Sequence, residues 1–398
     1  MCEPQRRILF YYDNFCGESS RGGTEVATAR IAKALKDTGQ WGVFHAHLSG
    51  NPSSSTLYTS TARLPKWSFV KNLADFIIKN DIDVVVNMGR FFRHEKLKKA
   101  IDRSGKDTKL LFMHHFAPGS EKKKSTYSSA LHLLRLNPYN PLYWLRIIFY
   151  PLIKLPRTLR WKQIYRKVYE KSDGVVLLSD GYQTDYMQVA GLNSCDKFFA
   201  IPNIFEKTEQ KIVSEKEKRV LILSRMDEIQ KRISLALLIW KKIEERGDLN
   251  DWHLDIVGSG HDIKGIKRFA SGLKLKNVTF HGWQPAEEFL EHSAILMMTS
   301  DYEGLSLSMI EAQSHGVIPI AFDSYASLKD ILKDNKTGVI IDRFGDIDTF
   351  SSELAALMTD DDKRVRISEN AKQNSGNFSP KNVVIKWIEM LDKVTNKT

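Results

Sequence analysis

The sequence predicts an α/β fold built from two doubly wound, parallel-sheet domains that face a cleft. Short apolar runs alternate with longer helix-like stretches along nearly the whole chain, which is typical of parallel strands joined by crossover helices. The alternation is interrupted by the charged stretch Glu206–Lys218 and then starts again. The 398 residues also exceed what one hydrophobic core usually serves, roughly 250–300 residues. Ligands of such folds bind beyond the carboxyl ends of the strands.

In the first half, a strand at residues 7–12 precedes a glycine-containing turn and a helix from Thr24 to about Lys36. The glycines allow the tight turn, and the apolar positions of the helix recur at helical spacing. The later apolar runs are short and flanked by polar or glycine residues, which favours buried strands. They are Val43–Leu48, Val84–Met88, Leu110–Met113, Gly174–Leu178 and Phe198–Ile201.

After the charged stretch, which is typical of a linker, the same pattern predicts a second sheet. A helix is expected to begin at Arg232, between the first two strands, and a final helix from Pro380 to Lys397 has no place that the pattern alone assigns. The predicted strands are Val220–Leu223, His253–Val257, Val278–Phe280, Ala294–Met298, Val317–Phe322 and Val339–Ile341.

Composition points to a globular protein of a reducing compartment. The three cysteines form no C-x-x-C pair and leave an odd count. The apolar run behind the two N-terminal arginines is too short for the core of a signal peptide, and no run of 18 apolar residues predicts a membrane-spanning helix. We therefore expect a cytoplasmic protein, or one attached to the inner face of the cell membrane.

The net charge of +11 is concentrated in one segment. Residues 121–171 hold twelve Lys or Arg against two acids, together with Tyr and Trp among Leu and Ile. Basic residues interleaved with aromatics suit an anionic surface, either phospholipid headgroups or nucleic acid. The alternative is an ordinary solvated helix face over an internal core.

Two glutamates eight residues apart, Glu303 and Glu311, are the most informative pair in the sequence. Glu303 follows a predicted strand on a glycine-containing loop, and Glu311 lies in the helix-like stretch behind it. At about 1.5 Å per helical residue they lie roughly 10–12 Å apart, a distance that suits two hydroxyl-bearing groups of one elongated ligand. The alternative is a capping box, with Ser308 at the helix start and Glu311 three residues later.

Cations and glycines stand at other strand ends. Arg225 follows one strand and Lys231 lies six residues later, an arrangement that can clamp a diphosphate. Gly22 and Gly23 open a helix after the first strand, where backbone N–H groups favour an anion. Gly258-Ser-Gly260 also follows a strand but lacks the third glycine of a dinucleotide site, which argues against a nicotinamide or flavin cofactor.

Histidines provide a further candidate but no metal centre. His114 and His115 follow a strand, so at least one is expected to face the ligand. His45 and His47 alternate on one strand face without an obvious third ligand. We therefore predict no metal site, and no Ser/His/Asp or Cys/His nucleophile set is evident.

Taken together, these motifs resemble family 4 glycosyltransferases of the GT-B fold, similar to bacterial enzymes that build lipopolysaccharide, capsule or exopolysaccharide. The resemblance covers most of the chain and rests on short motifs distributed along it. They are Gly22-Gly-Thr-Glu, Ile201-Pro-Asn, Ser224-Arg with Lys231, Val257-Gly-Ser-Gly, Phe280-His-Gly-Trp, Ser300-Asp-Tyr-Glu-Gly-Leu to Glu311-Ala, His315-Gly-Val-Ile-Pro and Asn335-Lys-Thr-Gly.

The resemblance implies a retaining, metal-independent transfer of a hexose from a nucleotide-diphosphate sugar, with a UDP-sugar favoured over a GDP-sugar and no further cofactor. Glu303 would contact the transferred sugar and Glu311 the ribose, while Arg225 and Lys231 would neutralise the leaving diphosphate. His114 or His115 would stand at the donor sugar. Other substrate contacts are implied for Gly22, Gly23, Gly258, Gly304, Leu305 and Ser306.

The resemblance also implies the domain plan. Residues 1–204 would form the acceptor-side domain, 205–378 the nucleotide-sugar domain, and the helix of 379–398 would cross back to the first domain. The basic segment 121–171 would dock on an anionic membrane and present a lipid-linked glycan acceptor. Nucleic acid is not expected as a partner. Two positions depart from the family pattern, because Ser224 and Arg232 stand where many members have glycine.

Two other functions remain open at this point. One is a non-catalytic basic protein that binds membranes or nucleic acid on a degenerate transferase fold. The other is a metal-dependent transferase of the GT-A type, whose activity EDTA would abolish. The combination of Glu303, Glu311, Arg225 and Lys231 favours the enzyme.

Overall fold

The computed structural model describes residues 6–18, 20, 22–50, 56–123, 131, 133–134, 136, 138–207 and 216–395. The middle of the predicted linker (208–215) and part of the basic segment (124–130) lie outside the described residues. The chain divides into two compact units. The first unit comprises Met1–Pro118, Leu159–Glu206 and Phe378–Thr398, and the second unit comprises Gly119–Thr158 and Lys207–Asn377.

The first unit contains a seven-stranded parallel sheet in the order β3-β2-β1-β4-β5-β6-β7. Strand order reverses between β1 and β4, the arrangement of a Rossmann-like sheet. Its central strands are apolar and buried on both faces, as the sequence predicts for a parallel sheet covered by helices. The strands are β1 (Arg6–Tyr11), β2 (Trp41–His47), β3 (Ser60–Arg63), β4 (Val84–Met88), β5 (Lys109–His114), β6 (Gly174–Leu177) and β7 (Phe198–Ala200).

Helices connect these strands, and the last helix of the chain also belongs to this unit. The helix Pro380–Thr395 packs on Gly23–Asp37, with the Trp387 ring 6.4 Å from that of Phe10. Asp392 at its end pairs with Arg6 of β1. The remaining helices of the first unit are Phe69–Lys79, Phe91–Ser104 and Tyr182–Ala190.

The second unit contains a six-stranded parallel sheet in the order β10-β9-β8-β11-β12-β13. β8 lies between β9 and β11, so the loops after β8 and β11 leave the sheet on either side of the point where the strand order reverses. In sheets of this kind that point is where ligands bind. The strands are β8 (Glu217–Leu223), β9 (His253–Val257), β10 (Val278–Gly282), β11 (Ser293–Met298), β12 (Ile318–Phe322) and β13 (Val339–Ile341).

Apolar side chains from the sheet and its helices form one core in this unit, with Trp240 and Phe350 among the large buried members. The helices are Glu228–Lys231, Ile233–Arg246, Ile263–Gly272, Glu287–His292, Leu307–Ser314, Leu328–Ile331, Ile347–Thr359 and Asp361–Ser375, followed by a 3₁₀ turn at Gly376–Phe378. The short helix Ser120–Lys123 also lies in the second unit.

One long helix, Pro141–Lys171, contains Pro151 and Pro156 and continues from the second unit into the first. Most of its first two turns and its middle are exposed, including large apolar side chains. Among the described residues, we find no helix with the length and apolar character needed to span a bilayer.

Candidate active site

The loop after β11 carries Glu303 and is held by hydrogen bonds at its start. The Thr299 hydroxyl donates to the carbonyl oxygens of Lys231 and Arg232, both at 3.0 Å. The Asp301 N–H donates to the carbonyl oxygen of Gln230 at 2.8 Å. The loop therefore follows the short helix Glu228–Lys231, which comes from the loop after β8, and the two sides of the strand-order reversal are joined.

Glu303 is buried and accepts hydrogen bonds from a lysine ammonium and a glutamine amide. Its Oε1 accepts a hydrogen bond from Lys231 Nζ at 2.5 Å, and its Oε2 accepts one from Gln230 Nε2 at 3.1 Å. Both members of the ion pair are nearly buried, with 9% and 11% of the Glu303 and Lys231 side chains exposed. Separating the two partners would leave an uncompensated buried charge, which is costly. The pair therefore holds both side chains in this orientation.

Arg225 joins the same network through Gln230. Arg225 Nη2 donates to Gln230 Oε1 at 3.0 Å, so the Gln230 amide bridges the exposed Arg225 guanidinium and the Glu303 carboxylate. The structure thus brings together Arg225, Lys231 and Glu303, which are predicted site residues. Gln230 joins them and was not predicted from the sequence. The available signal was a polar residue next to Lys231 in a turn at a strand end.

The turn that presents Lys231 is built by capping groups. Asp227 precedes the short helix in an extended conformation, and its Oδ1 accepts from the Gln230 N–H at 3.2 Å. Glu228 is fully buried, with its N–H bonded to Asp262 at 2.8 Å and its carboxylate accepting from the Ser234 N–H at 3.1 Å. Burial raises the pKa of Glu228 from 4.5 to about 7. Its protonation therefore changes near neutral pH.

Gly258 and Gly260 allow the chain after β9 to pass against the chain that carries Arg225. Gly258 has a φ of +139°, and a Cβ there would lie 1.8 Å from the Ser224 carbonyl oxygen. A Cβ at Gly260 would lie 2.5 Å from the Met226 carbonyl oxygen. The contact of Gly258 in the structure is thus with backbone, and its predicted contact with substrate stays a prediction.

Glu311 lies inside the helix Leu307–Ser314 and is half-buried. The helix begins one residue after Ser306, whose side chain makes no capping hydrogen bond, and Ser308 is already helical. The alternative of a capping box between Ser308 and Glu311 is therefore wrong. No acidic side chain occupies the first turn of this helix, which leaves its positive end available to an anion.

The approach to that helix is buried. Gly304, Leu305 and Ser306 are all buried, and Ser306 Oγ lies 3.5 Å from the Met298 sulfur and 3.2 Å from Ser308 Oγ. The backbone of this stretch is thus fixed by packing, as a backbone site for a sugar or phosphate needs.

The predicted site residues of the first unit occupy two strand ends. His114 ends β5 and is buried, with Nε2 3.1 Å from the Tyr165 hydroxyl. His115 is also buried, and burial lowers its pKa to about 3, which keeps the ring neutral at neutral pH. Gly22 caps the helix Gly23–Asp37, and a Cβ at Gly23 would meet nothing within 4 Å.

One group of possible metal ligands appears in the second unit, where ligand atoms of Asp227, His261 and Asp262 lie within 4.8 Å of one another. Asp227 and Asp262 already accept backbone N–H groups of the short helix, from Gln230 and Glu228. We assign these carboxylates to capping. These three residues form no pattern in the sequence that predicts a metal site.

Comparison with known proteins identifies relatives of this architecture. The family described as "Glycosyl transferases group 1" matches residues 204–374. The amylovoran biosynthesis glycosyltransferase AmsD of Erwinia amylovora is 29% identical over 185 residues, which cover 46% of this chain and 50% of AmsD. The poly(glycerol-phosphate) alpha-glucosyltransferase of Bacillus subtilis is 27% identical over 244 residues, covering 59% of this chain and 35% of that enzyme. The chain thus spans half the length, or less, of these curated relatives.

Among solved structures, Anabaena Alr3699/HepE in complex with UDP-glucose superimposes with a TM-score of 0.71 at 14% identity, covering 97% of this chain and 99% of that one. At this identity the likeness shows a shared fold. The two Rossmann-like parallel-sheet domains are those of the GT-B fold, which confirms the fold class predicted from the sequence.

Proposed function

Because residues 204–374 match the family of group 1 glycosyl transferases, we propose that this protein is a retaining glycosyltransferase. It would move a hexose from a nucleotide-diphosphate sugar to a glycan acceptor in cell-surface polysaccharide synthesis. The observation that carries the proposal is the network of Arg225, Gln230, Lys231 and Glu303 at the strand-order reversal of the matched domain.

The cations of this network suit a leaving diphosphate. Arg225 offers a planar fork of donors and is exposed, and the Lys231 ammonium has three donors, of which the bond to Glu303 uses one. Charge builds up on the diphosphate as the glycosidic bond breaks, and preorganised donors stabilise it there. With two cations in this role, the proposed reaction needs no metal ion.

The carboxylates suit hydroxyl groups. Glu303 would accept hydrogen bonds from the transferred sugar, with its orientation fixed by Lys231 and Gln230, and Glu311 would accept them from the ribose. The buried backbone at Gly304–Ser306 would meet the sugar or the phosphates. His114 and His115 remain predicted contacts of the donor sugar, His115 as a neutral imidazole.

A UDP-sugar is the favoured donor, since the structurally similar Alr3699/HepE is solved with UDP-glucose. The test is a thermal-shift screen of UDP- and GDP-sugars, followed by assay of UDP or GDP release. We expect Lys231→Gln to lower release about 10²–10³-fold, and Glu303→Gln to lower it strongly. Asp348→Asn, which alters an exposed pair with Lys242, is the control. Absence of binding by every nucleotide sugar would favour the non-catalytic alternative.

The acceptor is proposed to be lipid-linked and presented at an anionic membrane. The helix Pro141–Lys171 exposes a stripe of large apolar residues at helical spacing, with Lys154 and Arg160 exposed nearby. Apolar side chains that enter the headgroup region, flanked by cations, are typical of interfacial helices. The exposed residues are Leu142, Trp144, Leu145, Ile148, Phe149, Leu152, Leu155 and Leu159.

Vesicle binding tests this surface. We expect the protein to sediment with vesicles that contain phosphatidylglycerol and to be released by the triple change Arg157→Glu, Arg160→Glu and Lys162→Glu. The control carries the same charge change on other helices, Lys71→Glu, Lys79→Glu and Lys96→Glu. Equal binding by both triple variants would refute docking through the helix.

A further inference from the structure

Asp301 accepts hydrogen bonds from cationic side chains in two separate parts of the second unit. Its Oδ2 accepts a hydrogen bond from Arg232 Nη2 at 3.0 Å. Its Oδ1 and its carbonyl oxygen each accept from Lys123 Nζ at 3.2 Å, and that ammonium also lies 5.6 Å from the centroid of the Tyr302 ring. One carboxylate, two residues before Glu303, therefore joins the turn after β8 to the helix Ser120–Lys123.

Arg232 has an unusual environment for a guanidinium. Only 3% of the residue is exposed, and its Nε and Nη1 have no hydrogen-bond partner among the described residues. Asp301 provides its ion pair. The backbone of Arg232 has φ +51° and ψ +44°, the left-handed region that a side chain other than glycine rarely adopts. A buried charge with so few hydrogen-bond partners depends strongly on the carboxylate that pairs with it.

The ion pair between Arg232 and Asp301 lies next to the ion pair that holds Glu303. Lys231 and Arg232 are consecutive, and they bind Glu303 and Asp301 on either side of Tyr302. The loop is thus held at two side chains in addition to its backbone bond from Asp301 to Gln230. A carboxylate that binds the transferred sugar must be positioned accurately, because a shift of about 1 Å can lower the rate about 10²-fold.

We propose that Arg232, Asp301 and Lys123 are positioning residues that fix the loop carrying Glu303 in the geometry needed for sugar transfer. The inference rests on the proposed function and goes beyond it, because none of the three is assigned a contact with donor or acceptor. Arg232 holds the loop from the buried side, and Lys123 holds it from the half-exposed side.

Four single variants, one double variant and one control variant test the proposal, with three measurements on each. Arg232→Gly removes the guanidinium but leaves a residue that tolerates the left-handed backbone, so it separates side chain from backbone. Arg232→Lys keeps the charge, Asp301→Asn keeps the shape, and Lys123→Gln alters a half-exposed side chain that carries little risk to folding. Calorimetry gives the Kd for UDP, which lacks the sugar. Turnover of the UDP-sugar identified by screening gives kcat and KM, and thermal unfolding gives Tm.

We expect Asp301→Asn and Arg232→Gly to lower kcat about tenfold or more while the Kd for UDP stays within about twofold. Lys123→Gln lowers kcat less, and Arg232→Lys restores most of the loss. The double variant of Arg232→Gly and Asp301→Asn is no worse than Asp301→Asn alone, because Asp301→Asn already removes the ion pair that Arg232→Gly removes. The matched control is Asp251→Asn, which breaks the exposed pair with Lys218 and leaves every value unchanged.

Wild-type kcat in Lys123→Gln, Asp301→Asn and Arg232→Gly would overturn the proposal. Equal losses of UDP affinity, Tm and kcat would overturn it as well, because they indicate a general structural role. If the unaltered protein binds none of the UDP- and GDP-sugars and releases neither UDP nor GDP from them, the proposed function itself fails, an outcome distinct from either of these.

Discussion

Replacing Glu228 with glutamine should change how stability depends on pH. Glu228 is fully buried and opens the turn that carries Gln230 and Lys231. Burial raises its pKa from 4.5 to about 7, so the folded protein holds the carboxyl proton more tightly than the unfolded chain does. The folded state is therefore favoured most where Glu228 is protonated in both states, below about pH 4.5. That advantage is lost as the pH rises through 7.

The size of the effect follows from the two pKa values. A rise from 4.5 to about 7 corresponds to about 3.5 kcal/mol in full at roughly 1.4 kcal/mol per pH unit, of which about 3 kcal/mol develops between pH 4.5 and pH 7.5. Glutamine has nearly the same shape as the protonated acid and can accept from Ser234, but it does not ionise. Glu228→Gln should therefore gain about 3 kcal/mol relative to the unaltered protein between pH 4.5 and pH 7.5.

Urea unfolding followed by circular dichroism at four pH values in this range measures the difference between the two proteins. Other titrating groups, such as buried histidines, affect both proteins alike and cancel in the difference. A difference in unfolding free energy that stays constant with pH would refute the assignment of a neutral carboxyl at this position.

Further stability predictions follow from local geometry and from burial. Gly258→Ala should destabilise the protein by about 3 kcal/mol, because its Cβ would lie 1.8 Å from the Ser224 carbonyl oxygen at a φ of +139°. By contrast, Gly272→Ala, at a helical glycine with open space, should raise Tm slightly. Asp360→Ala loses the bond to the Lys363 N–H at 2.8 Å and should cost about 1 kcal/mol in urea unfolding. Ser306→Ala should cost less, because Ser306 makes no capping bond and loses only its contacts with Met298 and Ser308. Burial lowers the pKa of His45 to about 3, so stability should fall by about 1.4 kcal/mol per pH unit from pH 6.5 toward 3. His45→Phe should flatten that slope in acid unfolding, and an unchanged slope would contradict it.

The sheets could be predicted from the sequence because their central strands are short apolar runs that are buried on both faces. The run predicted as Val317–Phe322, for example, forms β12 at Ile318–Phe322. The edge strand Ser60–Arg63 was missed, since only Ala62 in it is apolar and its residues are half-buried or exposed. The helices Phe69–Lys79 and Phe91–Ser104 were likewise not singled out.

The candidate site was predictable where polar residues follow strands, and not where their meaning depends on tertiary contacts. Arg225, Lys231 and Glu303 stand at strand ends, which the strand pattern identifies. Gln230 and Asp301 acquire their roles only when the loops after β8 and β11 meet, which periodicity does not reveal. The capping box at Ser308 failed because the helix starts one residue earlier, at Leu307.

The most direct test of the central claim compares UDP with uridine by calorimetry. If Arg225 and Lys231 hold a diphosphate, UDP binds the unaltered protein much more tightly than uridine does. The double variant Arg225→Gln and Lys231→Gln should then reduce UDP affinity to nearly that of uridine while leaving uridine binding unchanged. Equal affinity of the unaltered protein for UDP and uridine, or undiminished UDP binding by the double variant, would contradict the proposed nucleotide-sugar site.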